Sequence, residues 1–460
     1  MRVSIIGTGY VGIVTGVCLA DRGHDVICVD VDRAKVDGIN NGVPPIYELG
    51  LPELLEKHAG RNLVATTNLR QAVLDTDLTL VAVGTPFDGS TIDLSYIIGA
   101  AREIGAALRD KEGYHVVAIK STVVPGTTDE VVLGCLEEAS GKRAGLDFGV
   151  GMNPEFLTEG QAIDDFMEPD RIVLGGIDDR SIEVQAELYA SFVDIPVVRT
   201  NTRTAEMIKY ASNAMLATAI SFSNELANLC HALGDIDAAE VMEGVHLSNY
   251  LSPRAADGSR IRAPLSSFYK SGCGFGGSCL PKDVKALVAH GQRLGLEMSL
   301  LDSVIRINLE QPLKTVAILD DHFSSLEGVR VAVLGLAFKP DTDDVRETPA
   351  VPIVNELLRR GAEVRVYDPI AGSAAARLFP SEAVEVGESL ELTVDGADVV
   401  LIATRWAEFG DLVEILREGT DPPLVLDGRR MIGKGDVQRY AGVGYRPRDV
   451  AAATSAVALA

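Results

Sequence analysis

No segment of this chain offers the roughly 20 consecutive apolar residues that a membrane-spanning helix needs. Its N-terminal run, MRVSIIGTGYVG, is apolar enough to suggest a signal peptide, but Gly7, Gly9, Gly12 and then Asp21 interrupt it. No small-residue cleavage site follows a clean apolar stretch. Basic residues are in deficit: 42 Lys and Arg against 66 Asp and Glu leave a formal charge of −24. That balance argues against nucleic acid and anionic membrane as general partners, since polyanions demand a basic face. A small anionic ligand stays open, because a few local cations outweigh a distant acidic surface. Cysteine is sparse as well. Six of them, at 18, 28, 135, 230, 273 and 279, make no disulfide framework in so long a chain. Neither Cys273 nor Cys279 has the nearby His or further Cys that a metal set requires, so no metal is expected. The reading is a reduced, cytoplasmic, soluble protein.

What is present is globular. Hydrophobic residues make up 47% of 460, and about 150 residues per domain suggests two or three domains. Short β-branched runs at 3–7, 25–30, 78–83, 115–119, 148–152 and 172–175 alternate with helix-length stretches. That alternation reads as an α/β fold with a parallel sheet covered on both faces. The plan then returns: RGHDVICVD at 22–30 is echoed by RGAEVRVYD at 360–368, and TDLTLVAV at 76–83 by ADVVLIAT at 397–404. Between the two halves the period changes. Ile208, Ala211, Met215, Ala219, Phe222, Leu226, Leu229 and Leu233 recur three or four apart, the mark of one long amphipathic helix. The stripe suits a dimer interface and an intramolecular core about equally. A second helical stretch spans about 300–322, with Pro312 as a kink. The expected architecture is two Rossmann-like doubly wound domains joined by a central helical domain. Its boundaries are 1–200, 201–325 and 326–440, with a tail at 441–460 to which no function is assigned.

Gly7-x-Gly9-x-x-Gly12 follows the first strand and opens a helix. Gly7 permits the turn, Gly9 lets backbone approach a pyrophosphate, and Gly12 lets helix and strand pack closely. The helix N-terminus then faces the phosphates. Asp30 ends the second strand, where an acid holds ribose hydroxyls and repels a 2′-phosphate. NAD is therefore expected over NADP. The second half has Gly335 after its strand but no GxGxxG, so a ligand other than a dinucleotide is expected there.

The stretch Gly274-Phe275-Gly276-Gly277-Ser278-Cys279-Leu280-Pro281-Lys282-Asp283 is the most informative. Its glycines suit close backbone approach to a ligand, and Pro281 suits the first turn of a helix. Cys279 then precedes a helix N-terminus beside Lys282, a setting that favours thiolate. The alternative that these residues leave open is a small buried cysteine. Lys209 and Asn213 stand four apart, on one helix face, where they can polarise an oxygen turning negative; a solvated face is the commoner fate of one lysine. Glu155 and Glu159, in NPEFLTE, and Ser121-Thr122 follow apparent strands, at the end where parallel sheets bind ligands.

The chain resembles the UDP-glucose/GDP-mannose dehydrogenase family from Met1 to about residue 430. The matching stretches are GTGYVG (7–12), VGTPF (83–87), DLSYI (93–97), STVVPGTT (121–128), NPEFLTEG (153–160), EMIKYASNAML (206–216), GFGGSCLPKD (274–283) and FKPDTDDVRETPA (338–350). The resemblance implies an enzyme that oxidises a sugar primary alcohol to a carboxylate in two steps, with NAD as cofactor and a thioester on Cys279. It implies that Lys209 and Asn213 stabilise oxyanions, that Asp283 and Thr122 serve the catalytic water, and that Glu155 belongs to the catalytic set. Val11, Asp30, Lys35, Thr85, Thr122, Glu159, Lys282 and Arg346 are implied NAD contacts, beside Gly7, Gly9 and Gly12. Glu155, Phe156, Leu157, Thr158, Glu159, Lys209 and Asn213 are implied to hold the nucleotide sugar, with Phe268, Tyr269, Lys270, Ser271, Gly272, Gly276 and Lys339. Arg260 falls in a loop that reaches the partner subunit's site in such enzymes, and a homodimer through the central helices is implied.

Within the family, LGLAFKPDTDDVRE (334–347) and VKAL (284–287) sit nearer the UDP-glucose branch, whereas CLPKD is common in the GDP-mannose branch. UDP-glucose is the expected substrate, with GDP-mannose and UDP-N-acetylhexosamines as alternatives. Two other classes compete: a β-hydroxyacid dehydrogenase, which needs neither a second βαβ half nor GFGGSC, and a non-catalytic NAD-binding protein. The latter has no reason to keep Lys209, Asn213, Cys279 and Asp283.

Overall fold

The computed structural model describes residues 1–379, 383–417 and 421–447. They form two compact units: residues 1–212 with 289–296, and the remainder. In the first unit the apolar runs become strands β1 (Arg2–Ile6), β2 (Asp25–Val29), β3 (Leu63–Thr66), β4 (Leu78–Val81), β5 (Val116–Ile119), β6 (Gly149–Met152), β7 (Ile172–Gly176) and β8 (Val197–Thr200). Their order is β3-β2-β1-β4-β5-β6-β7-β8. The one departure from a parallel sheet is the β6–β7 pair, which is antiparallel. Every residue of β4, β5 and β6 is buried, as expected of strands covered on both faces.

The second unit carries β9 (Arg330–Leu334), β10 (Glu363–Tyr367), β11 (Val384–Val386), β12 (Val399–Ile402), β13 (Leu424–Asp427) and β14 (Tyr440–Gly442). All its pairs are parallel, in the order β11-β10-β9-β12-β13-β14. The first six strands of the other sheet follow this same order, so the fold is the twice-built α/β plan expected from the repeats. Residues 440–442, at the edge of what reads as a tail, complete this sheet, and residues 448–460 lie outside the described residues.

The repeat extends to side chains. Arg2 donates from its backbone and guanidinium to Asp77, just before β4. Arg330 does the same to Asp398, just before β12. Gly7 and Gly335 both take positive φ, 97° and 92°, and both donate to the strand alongside, at Val29 and Tyr367. The halves then diverge. A helix starts at Tyr10, three residues after Gly7, whereas the next helix after Gly335 begins at Ala350. The second sheet therefore has no helix N-terminus at its glycine turn.

Between the sheets the sequence is helical, with Thr202–Leu233 running 32 residues and stopping at Gly234, whose positive φ suits a helix end. Ser299–Ala317 is helical through Pro312. The apolar stripe of the long helix divides: Ile208 packs against a core of the first unit and Ala219 is buried. Met215, Phe222, Leu229 and Leu233 are instead 55%, 46%, 55% and 62% exposed. The other buried positions along the helix include Lys209, Tyr210, Asn213, Ala217, Ser221, Asn224 and Ala227.

Candidate active site

In the first unit, the glycine turn has the form a dinucleotide requires. A Cβ at Gly12 would lie 1.9 Å from the Gly7 carbonyl oxygen, so close helix–strand packing fixes that glycine. A Cβ at Gly9 would meet nothing within 4 Å; the chain itself does not need glycine there, and open space lies before it. The helix Tyr10–Asp21 has no side-chain cap, which leaves its first N–H groups for an anion. Asp30 accepts from the Thr8 amide and hydroxyl at 2.9 and 2.6 Å and from the Asp32 amide at 2.9 Å. Burial opposes its charge, but these bonds and Lys35 prevail and hold the carboxyl below its ordinary range. Thr85 donates to the Thr122 carbonyl at 2.9 Å, tying two implied cofactor residues together. Val11, Lys35 and Glu159 are part-exposed in this unit.

The same unit contains a buried charge cluster. Lys209 Nζ lies 3.0 Å from Glu155 Oε1, and both side chains are buried. This excludes the solvated-face reading of Lys209. Burial pushes the Glu155 carboxyl up, yet Lys209, the Leu157 amide and Lys120 outweigh it and hold it low. Phe156 packs under two cations, Arg171 at 3.9 Å and Lys209 at 5.5 Å from its ring centre; Leu157 is half-buried and Thr158 exposed. Lys120 was not singled out from the sequence. It is buried, donates to Asn153 at 3.1 Å, and lines a cavity of about 80 Å³ with Glu155. Burial pushes its ammonium down to about 8. A charged residue closing the apolar strand HVVAI was the available signal.

In the second unit, Cys279 directly precedes the helix Leu280–Arg293, and its carbonyl accepts the first helical bond, from Asp283. Its side chain is exposed, with Sγ 3.6 Å from Ser278 Oγ. Asp283 is buried and accepts from Asn213 Nδ2 at 2.6 Å and from Lys282 at 2.5 Å. Arg346 donates twice to Asp344. Cys273 is buried and donates to the Gly428 carbonyl at 3.3 Å.

The glycines of this stretch serve the chain's own packing. A Cβ at Gly276 would lie 2.5 Å from the Glu347 carbonyl oxygen, and one at Gly277 would lie 2.8 Å from the Phe338 ring. Packing thus accounts for glycine at these two positions, and Gly274 and Gly276 also line a cavity. That cavity, of about 270 Å³, is walled by Phe268, Lys270, Ser271, Gly276, Lys339 and also Arg405 and Arg429. Gly272 is held by Asn224 and Gln311 instead, and Tyr269 faces a neighbouring cavity. Arg429 was missed. It donates to the carbonyls of Ala403 and Gly274, and its buried Nη2 has no hydrogen-bond partner.

Arg260 donates to the carbonyls of Leu247 and Ser252 within its own chain. Among the described residues no helix is long and apolar enough to cross a membrane.

Comparison with known proteins matches the UDP-glucose/GDP-mannose dehydrogenase family throughout: its NAD-binding domain over residues 1–193, its central domain over 203–310 and its UDP-binding domain over 332–434. The chain is 44% identical to a UDP-glucose 6-dehydrogenase of Haloferax volcanii, over 96% of this chain and 99% of the relative. It is 40% identical to a GDP-mannose 6-dehydrogenase of Azotobacter vinelandii, over 91% and 95%. A solved UDP-glucose dehydrogenase from Pyrobaculum islandicum superimposes with a TM-score of 0.87 at 39% identity, covering 96% of this chain and 98% of that one. With cofactor turn, cysteine-capped helix and twice-built sheet all accounted for, the chain belongs to the UDP-glucose/GDP-mannose dehydrogenase family and is an NAD-dependent nucleotide-sugar dehydrogenase.

Proposed function

We propose that this enzyme oxidises UDP-glucose to UDP-glucuronate, reducing two NAD per sugar without releasing the aldehyde. The carrying observation is Cys279, exposed at the start of a helix whose first turn holds Asp283 against Asn213. NAD supplies the hydride acceptor in both oxidations. The Cys279 sulfur attacks the aldehyde carbon, forming a C–S bond and an oxyanion. Lys209 and Asn213, one turn apart on their helix, bear the charge on that oxygen. The second oxidation leaves a thioester. Water oriented by Asp283 and Thr122 adds to it, the Asp283 carboxylate takes the water's proton, the C–S bond breaks, and carboxylate departs as the thiol is restored.

For cofactor binding, Gly7, Gly9, Val11 and Gly12 receive the pyrophosphate, Asp30 and Lys35 the adenosine ribose, and Thr85, Thr122, Glu159, Lys282 and Arg346 the remainder. The sugar nucleotide is assigned to Glu155–Glu159 and to the cavity of Lys270 and Lys339. The exposed stripe of the long helix is assigned to a homodimer, since soluble monomers seldom leave such apolar surface bare.

The base is what the relatives leave open, because a GDP-mannose 6-dehydrogenase is nearly as similar as a UDP-glucose 6-dehydrogenase. A panel of UDP-glucose, GDP-mannose and UDP-N-acetylhexosamines, compared by kcat/KM, decides it. Preference for GDP-mannose overturns the substrate assignment. One NADH per sugar, rather than two, overturns the thioester route.

A further inference from the structure

The second unit has another cavity, of about 150 Å³, which shares Lys270, Ser271 and Arg405 with the larger one. The larger cavity includes Gly276 and Leu280, the residues flanking the Cys279 segment. The smaller one includes no residue between 272 and 404, and its far wall is the helix Ala238–His246. A nucleotide sugar whose reacting carbon lies at Cys279 points its base away from that segment, toward the smaller cavity.

One side chain there has unmet hydrogen-bonding capacity. His246 is 3% exposed, and its Nδ1 lies 3.0 Å from Arg262 Nη2. A guanidinium only donates, so Nδ1 accepts and the proton of the neutral ring sits on Nε2. Burial, and then the Arg262 charge, keep the ring neutral. Nε2 is buried and has no hydrogen-bond partner. Leaving such a donor unmet is unfavourable, and its position on the cavity wall calls for an acceptor from a ligand.

The other polar groups narrow the choice. Glu243 is engaged twice by Arg262, Arg430 twice by Asp237, and Arg405 by the carbonyls of Arg429 and Arg430. Arg262 and Arg430 are thus already paired with carboxylates, Lys270 and Arg405 stand where the two cavities meet, and Ala238, Ala239, Met242 and the Tyr269 ring form an apolar wall. This suits a flat, uncharged ring presenting a carbonyl better than it suits a phosphate.

We propose that His246 is a base-contacting residue, whose Nε2–H donates to a nucleobase carbonyl of the substrate: O4 of uracil or O6 of guanine. The assignment rests on the nucleotide-sugar reading above, and it names a specificity contact within that same site.

The probes are the diphosphates UDP and CDP, and GDP and ADP, each pair exchanging a carbonyl for an amino group at the same ring position. Titration calorimetry on the full chain should show the carbonyl member of the preferred pair binding about tenfold tighter. His246→Leu should erase that preference, a loss of about 1.4 kcal/mol, while His246→Gln, which keeps an N–H donor, restores most of it. NAD affinity, read in the same samples, should stay constant and report an intact protein. A leucine variant that keeps the carbonyl preference overturns the proposal. So does an equal loss for carbonyl and amino partners, which marks a structural or phosphate contact. If His246→Leu does not fold, the wild-type His246 Nε2–H resonance decides the matter: it should move downfield with the carbonyl diphosphate and stay put with the amino one. Turnover separates the two claims. If no nucleotide sugar yields NADH while the His246-dependent preference persists, the dehydrogenation reading falls and the base subsite stands.

Discussion

Lys209 and Glu155 form an ion pair of 3.0 Å with both side chains buried in the first unit. Such a pair contributes little net stability when intact, but losing one partner leaves a buried charge uncompensated. Glu155→Gln should therefore destabilise the protein by about 3 kcal/mol near neutral pH. The carboxyl is held below its ordinary 4.5, so its contribution is present above that value and lost as pH falls through the folded pKa. Urea melts should show the gap between wild type and variant narrowing as the pH drops below 4.5. A gap independent of pH would mean that the charge is not what matters.

Lys120 has the opposite sign. Burial, and then repulsion from Lys209, bring it down to about 8 from 10.5 against the pull of Glu155. Between those values the unfolded chain binds more protons, so the wild type gains stability as pH rises. Below that window the full cost of burying the ammonium is present. Lys120→Met should lose ground to the wild type between about pH 8 and pH 10.5, by at most on the order of 3 kcal/mol. Parallel stability curves for the two proteins would mean that burial does not lower the Lys120 ammonium at all.

The sheets, the glycine turn and the helix beginning after Cys279 were legible because each is local: a period of two, a period near 3.6, or a glycine at a strand end. Lys120, Arg429 and His246 were not, because what distinguishes them is tertiary burial, which leaves no mark on neighbouring residues. The glycines around Cys279 were visible but the packing that requires them was not, since Phe338 and Glu347 lie far along the chain from Gly277 and Gly276. The long helix shows the same limit. Its stripe could be read, but not which positions pack: Asn213, Ser221 and Asn224 are buried while Met215 and Phe222 are exposed.

Cys279→Ala should reduce nucleotide-sugar oxidation by at least about a thousandfold, as loss of a nucleophile does. NAD affinity should hardly change, because the glycine turn and Asp30 belong to the other unit. Cys279→Ser should accumulate a covalent ester, since an alkoxide leaves less readily than a thiolate. Mass spectrometry of the quenched serine variant looks for the added nucleotide sugar, and acid production by the alanine variant near the wild-type rate would exclude the thioester.

Met215→Glu with Phe222→Glu places two charges on the exposed apolar stripe without touching a buried residue. If that stripe joins two copies, burying the like charges opposes association, and the double variant should sediment with the mass of one chain where the wild type sediments with that of two. Helix content should be unchanged. A wild type that is already monomeric, or a variant that still pairs, would remove the long helix from the interface.

Asp30 and Asp368 close the corresponding strands of the two halves, but only Asp30 keeps part of its carboxylate toward solvent. Asp368 is buried and accepts from the amides of Leu336, Ala337, Ile370 and Ala371 and from the Trp406 indole. Its oxygens have no capacity left for a ribose, and the helix that would face a pyrophosphate is missing from that turn. The same spelling in sequence thus supports two outcomes. Asp30→Ala with Val31→Arg, at a side chain that is 98% exposed, removes the repulsion of a 2′-phosphate and supplies a cation for it. The NADP-to-NAD ratio of kcat/KM should rise by at least about tenfold. Asp368→Ala should leave that ratio unchanged and instead lower stability by about 3 kcal/mol, because several buried donors lose their acceptor together. Steady-state kinetics with both cofactors, alongside urea melts, separates the two effects. A shift in cofactor preference from the Asp368 variant would mean that the second sheet takes part in dinucleotide choice after all.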